Sequence, residues 1–272
     1  MLSVIIPASN EQGYIGPCLT ALLASGVVEA EVIVVANGCH DLTADVARGF
    51  AGQAAARGWG FTVLDLAQGS KPGALNAGDA VARGAMRAYV DADIIVTPAV
   101  LAQLVAALAG DGPRYGGATP RIPPARSRIT RAYARFWQTL PFAQSVAPGF
   151  GLFAVNAAGR ARWDDFPAII SDDTFVRLQF APAERVQVQA RYDWPMIEGF
   201  AALTRVRRRQ DAGMAEIAAT FPEWLDREGK AALGLGGILT RALRDPFGFL
   251  VYAAVSVAVR LRRGGRAFTR GR

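Results

Sequence analysis

The chain has 272 residues, 51% of them hydrophobic and 19% charged. That is enough apolar material for one large domain, or one with a small appendage, and it excludes a disordered chain or a coiled coil. Thirty Lys and Arg against 23 Asp and Glu give a net charge of +7. Six arginines after Pro246 (Arg260, Arg262, Arg263, Arg266, Arg270 and Arg272) meet no acid there, so the first 245 residues carry only about +1. The excess is a tail feature, and no nucleic-acid partner is expected.

The first hundred residues alternate short β-branched runs with Ala-rich stretches, the pattern of βαβ units around a mainly parallel sheet. Strands are predicted at Leu2 to Ile6, Glu31 to Val35, Phe61 to Leu66 and Arg87 to Val90. Helices are predicted near Ile15 to Ala24, Thr43 to Ala56 and Gly73 to Arg83, with another after Pro98. From Asp111 to Pro148 six prolines surround one predicted helix, Ile129 to Thr139, and the segment reads as a loop-rich insertion over the active face. A strand at Gly151 to Val155, an acidic turn at Ser171-Asp172-Asp173, a helix at Thr174 to Phe180 and a strand near Arg185 to Ala190 follow. The last third reads as mostly helical.

Cys18 and Cys39 form neither a disulfide framework nor a metal spacing, and the single His40 cannot anchor zinc. The chain enters an apolar strand at Leu2 without the basic start of a signal peptide, so a cytoplasmic location is expected.

Ligand chemistry in such sheets belongs at the carboxyl ends of the strands. Four groups fall there. Tyr89-Val90-Asp91-Ala92-Asp93 places two carboxylates two residues apart, where an extended backbone turns both to one side; these hard oxygens suit Mg²⁺ or Mn²⁺ shared with phosphates, or they cap the following turn. Pro7-Ala8-Ser9-Asn10-Glu11 stands where a dinucleotide fold would carry Gly-x-Gly-x-x-Gly, which argues against a nicotinamide enzyme. Gly69 to Gly78 is a small-residue loop opening a helix, with Lys71 as a point charge for phosphate. Asp172 and Asp173 fit a general base, or an acidic first helical turn.

In order and placement these motifs resemble the family-2 inverting glycosyltransferases of the GT-A fold, over roughly residues 2 to 215. The resembling stretches are Val4 to Glu11, Val34 to Thr43, Lys71 to Gly78, Tyr89 to Asp93 and Ser171 to Asp173. The resemblance implies a nucleotide-diphosphate-sugar donor, with Pro7, Ala8, Asn10, Glu11, Asn37 and Lys71 around the nucleotide. It further implies Asp91 at the ribose, Asp93 on a Mn²⁺ or Mg²⁺ ion, Asp173 as the base and Asp172 beside it. Arg207 or Arg208 would assist the leaving diphosphate. Two departures stand out: Ala36-Asn37-Gly38-Cys39 replaces the family's Asp-Asp-Gly-Ser, and Arg205 to Gln210 replaces the Gln-x-x-Arg-Trp of processive synthases. The expectation is therefore a single sugar transfer to a hydroxyl acceptor, glycan or lipid-linked.

Rival readings are a nucleotidyltransferase, which lacks its Gly-rich signature here, and a silent sugar- or nucleic-acid-binding module, against which Asp91, Asp93 and Asp173 speak jointly. Tyr133, Phe136 and Trp137 are placed to stack on an acceptor or to fill a core. Residues 1–210 are read as the GT-A domain and 211–272 as a helical appendage. Thirteen uncharged residues from Phe247 to Val259 are too few to cross a bilayer, which needs about twenty. Followed by arginines, they suit a peripheral anchor on the inner face of the cell membrane, or a core helix with a basic tail.

Overall fold

The computed structural model describes residues 1–26, 29–229 and 233–261; the five arginines from Arg262 onward lie outside them. The first half alternates as expected: β1 (Leu2–Ala8), α1 (Ile15–Leu23), β2 (Ala30–Asn37), α2 (Thr43–Arg48), α3 (Ala51–Ala56), β3 (Gly60–Leu66), α4 (Lys71–Val81) and β4 (Met86–Val90). Then come β5 (Ile95–Val96), α5 (Val100–Ala107), β6 (Tyr115–Arg121), α6 (Arg128–Trp137), β7 (Leu152–Val155), α7 (Ala157–Arg160), α8 (Asp172–Leu178) and β8 (Arg185–Asp193). Three helices end the described chain: α9 (Phe200–Thr220), α10 (Leu235–Arg244) and α11 (Pro246–Leu261).

The strands form one sheet in the order β3-β2-β1-β4-β7-β6-β8-β5. β1 runs parallel to β2 and β4, and β2 to β3, while β7 is antiparallel to both β4 and β6. Chain order reverses at β1, which goes on to β2 on one side and meets β4 on the other. Such a switch point opens a crevice at the strands' carboxyl ends, between Pro7 and Asp91.

β1 and β2 are buried along their whole length because helices cover both faces. Val4 and Ile6 share one apolar cluster with Ile15, Leu19 and Leu22 of α1, whereas Ile5, Ile33 and Val35 share the opposite one with Ala74 and Leu75 of α4 and Phe175 of α8. The alternation follows from successive side chains pointing to opposite faces. A buried polar clip adds to it: Asp79 of α4 pairs with Arg87 at 3.4 Å and Arg160 at 3.1 Å and accepts the Tyr89 hydroxyl at 2.9 Å. It ties α4, which begins at Lys71, to the strand that leads into Asp91.

The sequence reading misses one core strand. β6 lies inside the stretch expected to be irregular, yet it pairs with β7 and β8 in the sheet interior. Its sequence, YGGATPR, holds two glycines and a proline, residues depleted from strands. The ladder tolerates them with a register irregularity between Gly117 and Thr119. The single helix expected from Thr43 to Ala56 is broken at Gly49-Phe50 into α2 and α3.

A third apolar cluster joins Tyr133 and Trp137 of α6, Leu203 of α9 and Val255 and Val259 of α11. α9 continues unbroken through Gln210, the expected end of the first domain. Among the described residues no helix is long and apolar enough to cross a membrane.

Candidate active site

The crevice is a cleft of about 480 Å³ whose wall includes Pro7, Asn10, Glu11, Asn37, Lys71, Asp91, Asp93, Asp172, Asp173 and Arg207. Residues up to 200 apart in the chain thus converge on one space. Ala8 and Arg208 are absent from that wall. Ala8 is buried, and its carbonyl is taken by Asn37, while Arg209, next to Arg208, lines the cleft instead.

The loops after β1 and β2 are laced together by side-chain to backbone bonds. Asn10, at a left-handed φ of 57°, accepts the His40 N–H at 2.8 Å. Glu11 N–H donates to Thr43 Oγ1 at 2.8 Å, and Gln12 N–H to Asp41. Asn37 is buried, and its amide group donates to the Ala8 and Val35 carbonyls while its oxygen accepts the Ser70 N–H at 3.0 Å. Its polar atoms join three loops; they are occupied in holding the pocket's shape. Ser70 caps α4 by accepting Gly73 N–H, so the helix begins at Lys71 with its N-terminus toward the cleft.

Lys71 is the hub of the charged end. Its ammonium lies 2.9 Å from Asp91 Oδ1 and 3.1 Å from Asp172 Oδ2, joining the β4 acids to the α8 acids. Burial works against this charge, but Asp172 and Asp91 outweigh it and hold the lysine above its ordinary range. Asp91 and Asp93 are both half-exposed with Ala92 buried between them; the strand stops at Val90 and the Ile94 N–H bonds the Asp91 carbonyl at 3.2 Å, so a turn and not the expected extended backbone presents both acids to the cleft. Beneath this turn the Cys18 thiol is buried 3.8 Å from the Asp91 carbonyl oxygen. Burial, then Asp93 and Asp91, push its pKa up, which leaves it a neutral packing group.

The two late acids differ. Asp172 is buried on Lys71. Asp173 faces the cleft, accepts Thr174 N–H at 2.7 Å and has its pKa raised to about 6 by burial and by the neighbouring Asp172. A carboxyl so placed accepts a proton near neutral pH more readily than an ordinary aspartate. Gly149 and Gly151, at φ of 82° and 68°, carry the intervening loop between the two acid pairs. A Cβ on Gly151 would sit 3.1 Å from Asp91 Oδ2, and one on Gly149 2.6 Å from the Tyr115 hydroxyl, so the loop needs glycine at both places.

Phe150, between those glycines, opens the cleft's other end. Its ring stacks on Trp194 at 5.1 Å, and Trp137 packs against both. Met196, Ile197, Leu203 and Val206 complete this wall. Sequence reasoning missed all of these except Trp137; the one available signal was the aromatic ring between paired glycines in Pro148-Gly149-Phe150-Gly151. Of the α6 aromatics, Tyr133 and Trp137 belong to the buried cluster and touch the cleft with their edges, while Phe136 packs on Phe249 and Tyr252 away from it. Arg207 lies at the rim with its guanidinium engaged by Asp211 at 2.7 Å and the Tyr252 hydroxyl at 2.9 Å.

Asp93 and Asp91 are the residues able to hold a divalent cation. Among the described residues no group of three or more His, Cys, Asp or Glu forms a complete metal site. One or two carboxylates completed by substrate oxygens is the donor set that Mg²⁺ takes with phosphates, so the residues fit such an ion.

A mixed α/β sheet with a carboxylate-lined cleft at its switch point defines a GT-A-type fold. Residues 3–165 match the family model for glycosyl transferase family 2, and the chain belongs to that family. A 104-residue stretch is 30% identical to an uncharacterized glycosyltransferase, EpsJ, of Bacillus subtilis, covering 38% of this chain and 29% of that protein's length. Among solved structures, the mannosyltransferase PcManGT of Pyrobaculum calidifontis, in complex with GDP-Man and Mn²⁺, superposes with a TM-score of 0.64 at 19% identity, over 97% of this chain and 76% of its own. S. aureus TarS 1–349 with UDP-GlcNAc gives 0.56 at 17% identity, over 95% and 81%. Glucosyl-3-phosphoglycerate synthase of Mycobacterium tuberculosis, with Mn²⁺, UDP and glucosyl-3-phosphoglycerate, gives 0.54 at 21% identity, over 86% and 82%. At these identities the superpositions establish the fold.

Proposed function

We propose that the protein transfers one sugar, with inversion, from a nucleotide-diphosphate-sugar donor to a hydroxyl acceptor, glycan or lipid-linked, using Mn²⁺ or Mg²⁺. The setting we propose is the cytoplasmic face of a membrane, and the acting unit is the GT-A domain with its C-terminal helices. The observation that carries this reading is the meeting of Asp91, Asp93, Lys71, Asp172 and Asp173 on one cleft wall. The nucleotide-sugar complexes of the similar structures support the donor class.

In this reading Pro7, Asn10 and Glu11 line the nucleotide pocket, which Asn37 shapes from behind. Asp91 faces the ribose, and Asp93 holds the cation. The cation, when bound, neutralises the diphosphate charge. Lys71 lies against the same charge, so a phosphate oxygen drawn near it competes with Asp91 and Asp172. Asp173 takes the proton from the acceptor hydroxyl as its oxygen attacks the anomeric carbon opposite the leaving diphosphate. Asp172, fixed on Lys71, keeps Asp173's carboxyl raised and oriented. Arg209 and Arg207 supply cationic charge at the rim.

The test is a panel of nucleotide sugars incubated with the protein and Mn²⁺, with released nucleoside diphosphate measured. Slow release from at least one donor, abolished by EDTA, is expected even with water as acceptor. A folded protein that releases nucleotide from none of them would contradict the reading.

A further inference from the structure

The last two helices carry apolar surface that the active site does not use. α10 exposes Leu235, Leu239 and Leu243 at i, i+4 and i+8, and Leu235 and Leu243 are 87% and 73% exposed. α11 exposes Phe247, Leu250, Val257 and Leu261 along one stripe, while Gly248, Val255 and Val259 are buried on its other side. The helices are joined by a single residue, Asp245, so seven large apolar side chains stand in solvent on two consecutive helices. That exceeds the scattered singletons normal for a surface.

The charge of this stretch of sequence has one sign. Residues 233–272 hold eight of the chain's thirty basic residues and one of its 23 acids, leaving 22 of each in the rest. The whole net charge of +7 therefore belongs to this segment. Its one acid, Asp245, is already engaged by both Arg135 nitrogens at 2.8 Å, while Arg244 and Arg260 are exposed. A second copy would bring the same cations face to face; an anionic surface with an apolar interior matches both features. α11, at 16 residues, spans about 24 Å at 1.5 Å per residue, short of a bilayer's apolar core of about 30 Å, so it suits lying on a membrane.

α11 is also joined to the cleft. The inner face of α11 packs Val255 and Val259 against Tyr133, Trp137 and Leu203, which line the cleft, and Tyr252 binds Arg207 at its rim. We propose that the outer face of α10 and α11 docks on an anionic lipid bilayer, which sets the apolar wall of the cleft about one helix diameter, some 10 Å, from the lipid. This deepens the proposed function, on which it rests for the use of the cleft: it names the surface and favours an acceptor borne on lipid.

The test is flotation of the full chain with phosphatidylcholine vesicles, with and without phosphatidylglycerol, at low and high salt. The wild type is expected to float with the anionic vesicles and to be weakened by salt. Leu239→Asp/Leu243→Asp, at exposed positions far from the cleft, should cut vesicle binding about tenfold or more with unchanged melting temperature and donor-nucleotide affinity. Arg244→Glu/Arg260→Glu should lose binding mainly at low salt. A wild type that stays soluble with anionic vesicles, or a leucine variant that floats undiminished, would overturn the docking. So would a dimer that the leucine variant converts to monomer without vesicle binding. Nucleotide affinity of the wild type separates the two readings: a wild type that binds nucleotide but does not float sinks the docking alone, and a wild type that floats but binds no nucleotide sinks the proposed function alone.

Discussion

The two ends of the cleft are built by different means. At the carboxylate end, loops from consecutive strands are held by polar bonds to backbone, such as Asn37 to Ala8, Val35 and Ser70, and Asn10 to His40. At the aromatic end Phe150 stacks on Trp194 and Trp137 packs against both rings. The difference teaches where rigidity is spent. Hydrogen bonds fix direction and suit a charged ligand whose geometry must be held, whereas packed rings and methionine give a surface that accommodates varied apolar shapes.

The largest expected effect lies where the two ends meet. Asp173→Asn preserves shape but cannot take the acceptor proton, so kcat should fall about 10²- to 10⁴-fold with donor affinity nearly unchanged. In the wild type the raised carboxyl gives a sign as well. Asp173 is protonated and inactive below its pKa, so kcat/KM should climb with pH through about 6 and then level. A profile flat from pH 5 to 8, or near-normal turnover in Asp173→Asn with Asp172→Asn dead, would move the base elsewhere.

A smaller effect tests whether the carboxylate end depends on the clip behind it. Asp79→Ala leaves Arg87 and Arg160 without their shared acid in a largely buried site, and removing one partner of such a pair costs about 3–5 kcal/mol. Urea unfolding should show that loss in the transition midpoint. A change under about 1 kcal/mol would mean that the arginines find water or other partners, as exposed pairs do.

The same contrast explains what the sequence made legible. The carboxylate end comes in contiguous motifs at strand ends, so Asp91 and Asp93 could be placed at the cleft from their position after β4, although a turn and not the strand's period brings them to one side, and Lys71 could be placed from its Gly-rich loop. The aromatic end is assembled from residues between 133 and 206 that only the fold brings together. β6, whose glycines and Pro120 oppose strand formation, was invisible locally because its partners β7 and β8 stabilise it from outside its own sequence. Arg208 was misplaced for a related reason. Within an arginine run only helix phase decides which side chain faces the cleft, and that phase is set by where α9 starts, at Gly199-Phe200.

The central claim is that the strand-end acids bind a nucleotide diphosphate through a cation, and the most direct test is calorimetric titration of UDP and GDP into wild type and Asp93→Ala, each with Mn²⁺ or with EDTA. The account predicts that Mn²⁺ tightens binding of one of these nucleotides to the wild type by about tenfold or more, about 1.4 kcal/mol, and that Asp93→Ala loses this gain while keeping its melting temperature. Equal affinity in Mn²⁺ and EDTA for the wild type, or the full gain surviving in Asp93→Ala, would contradict it.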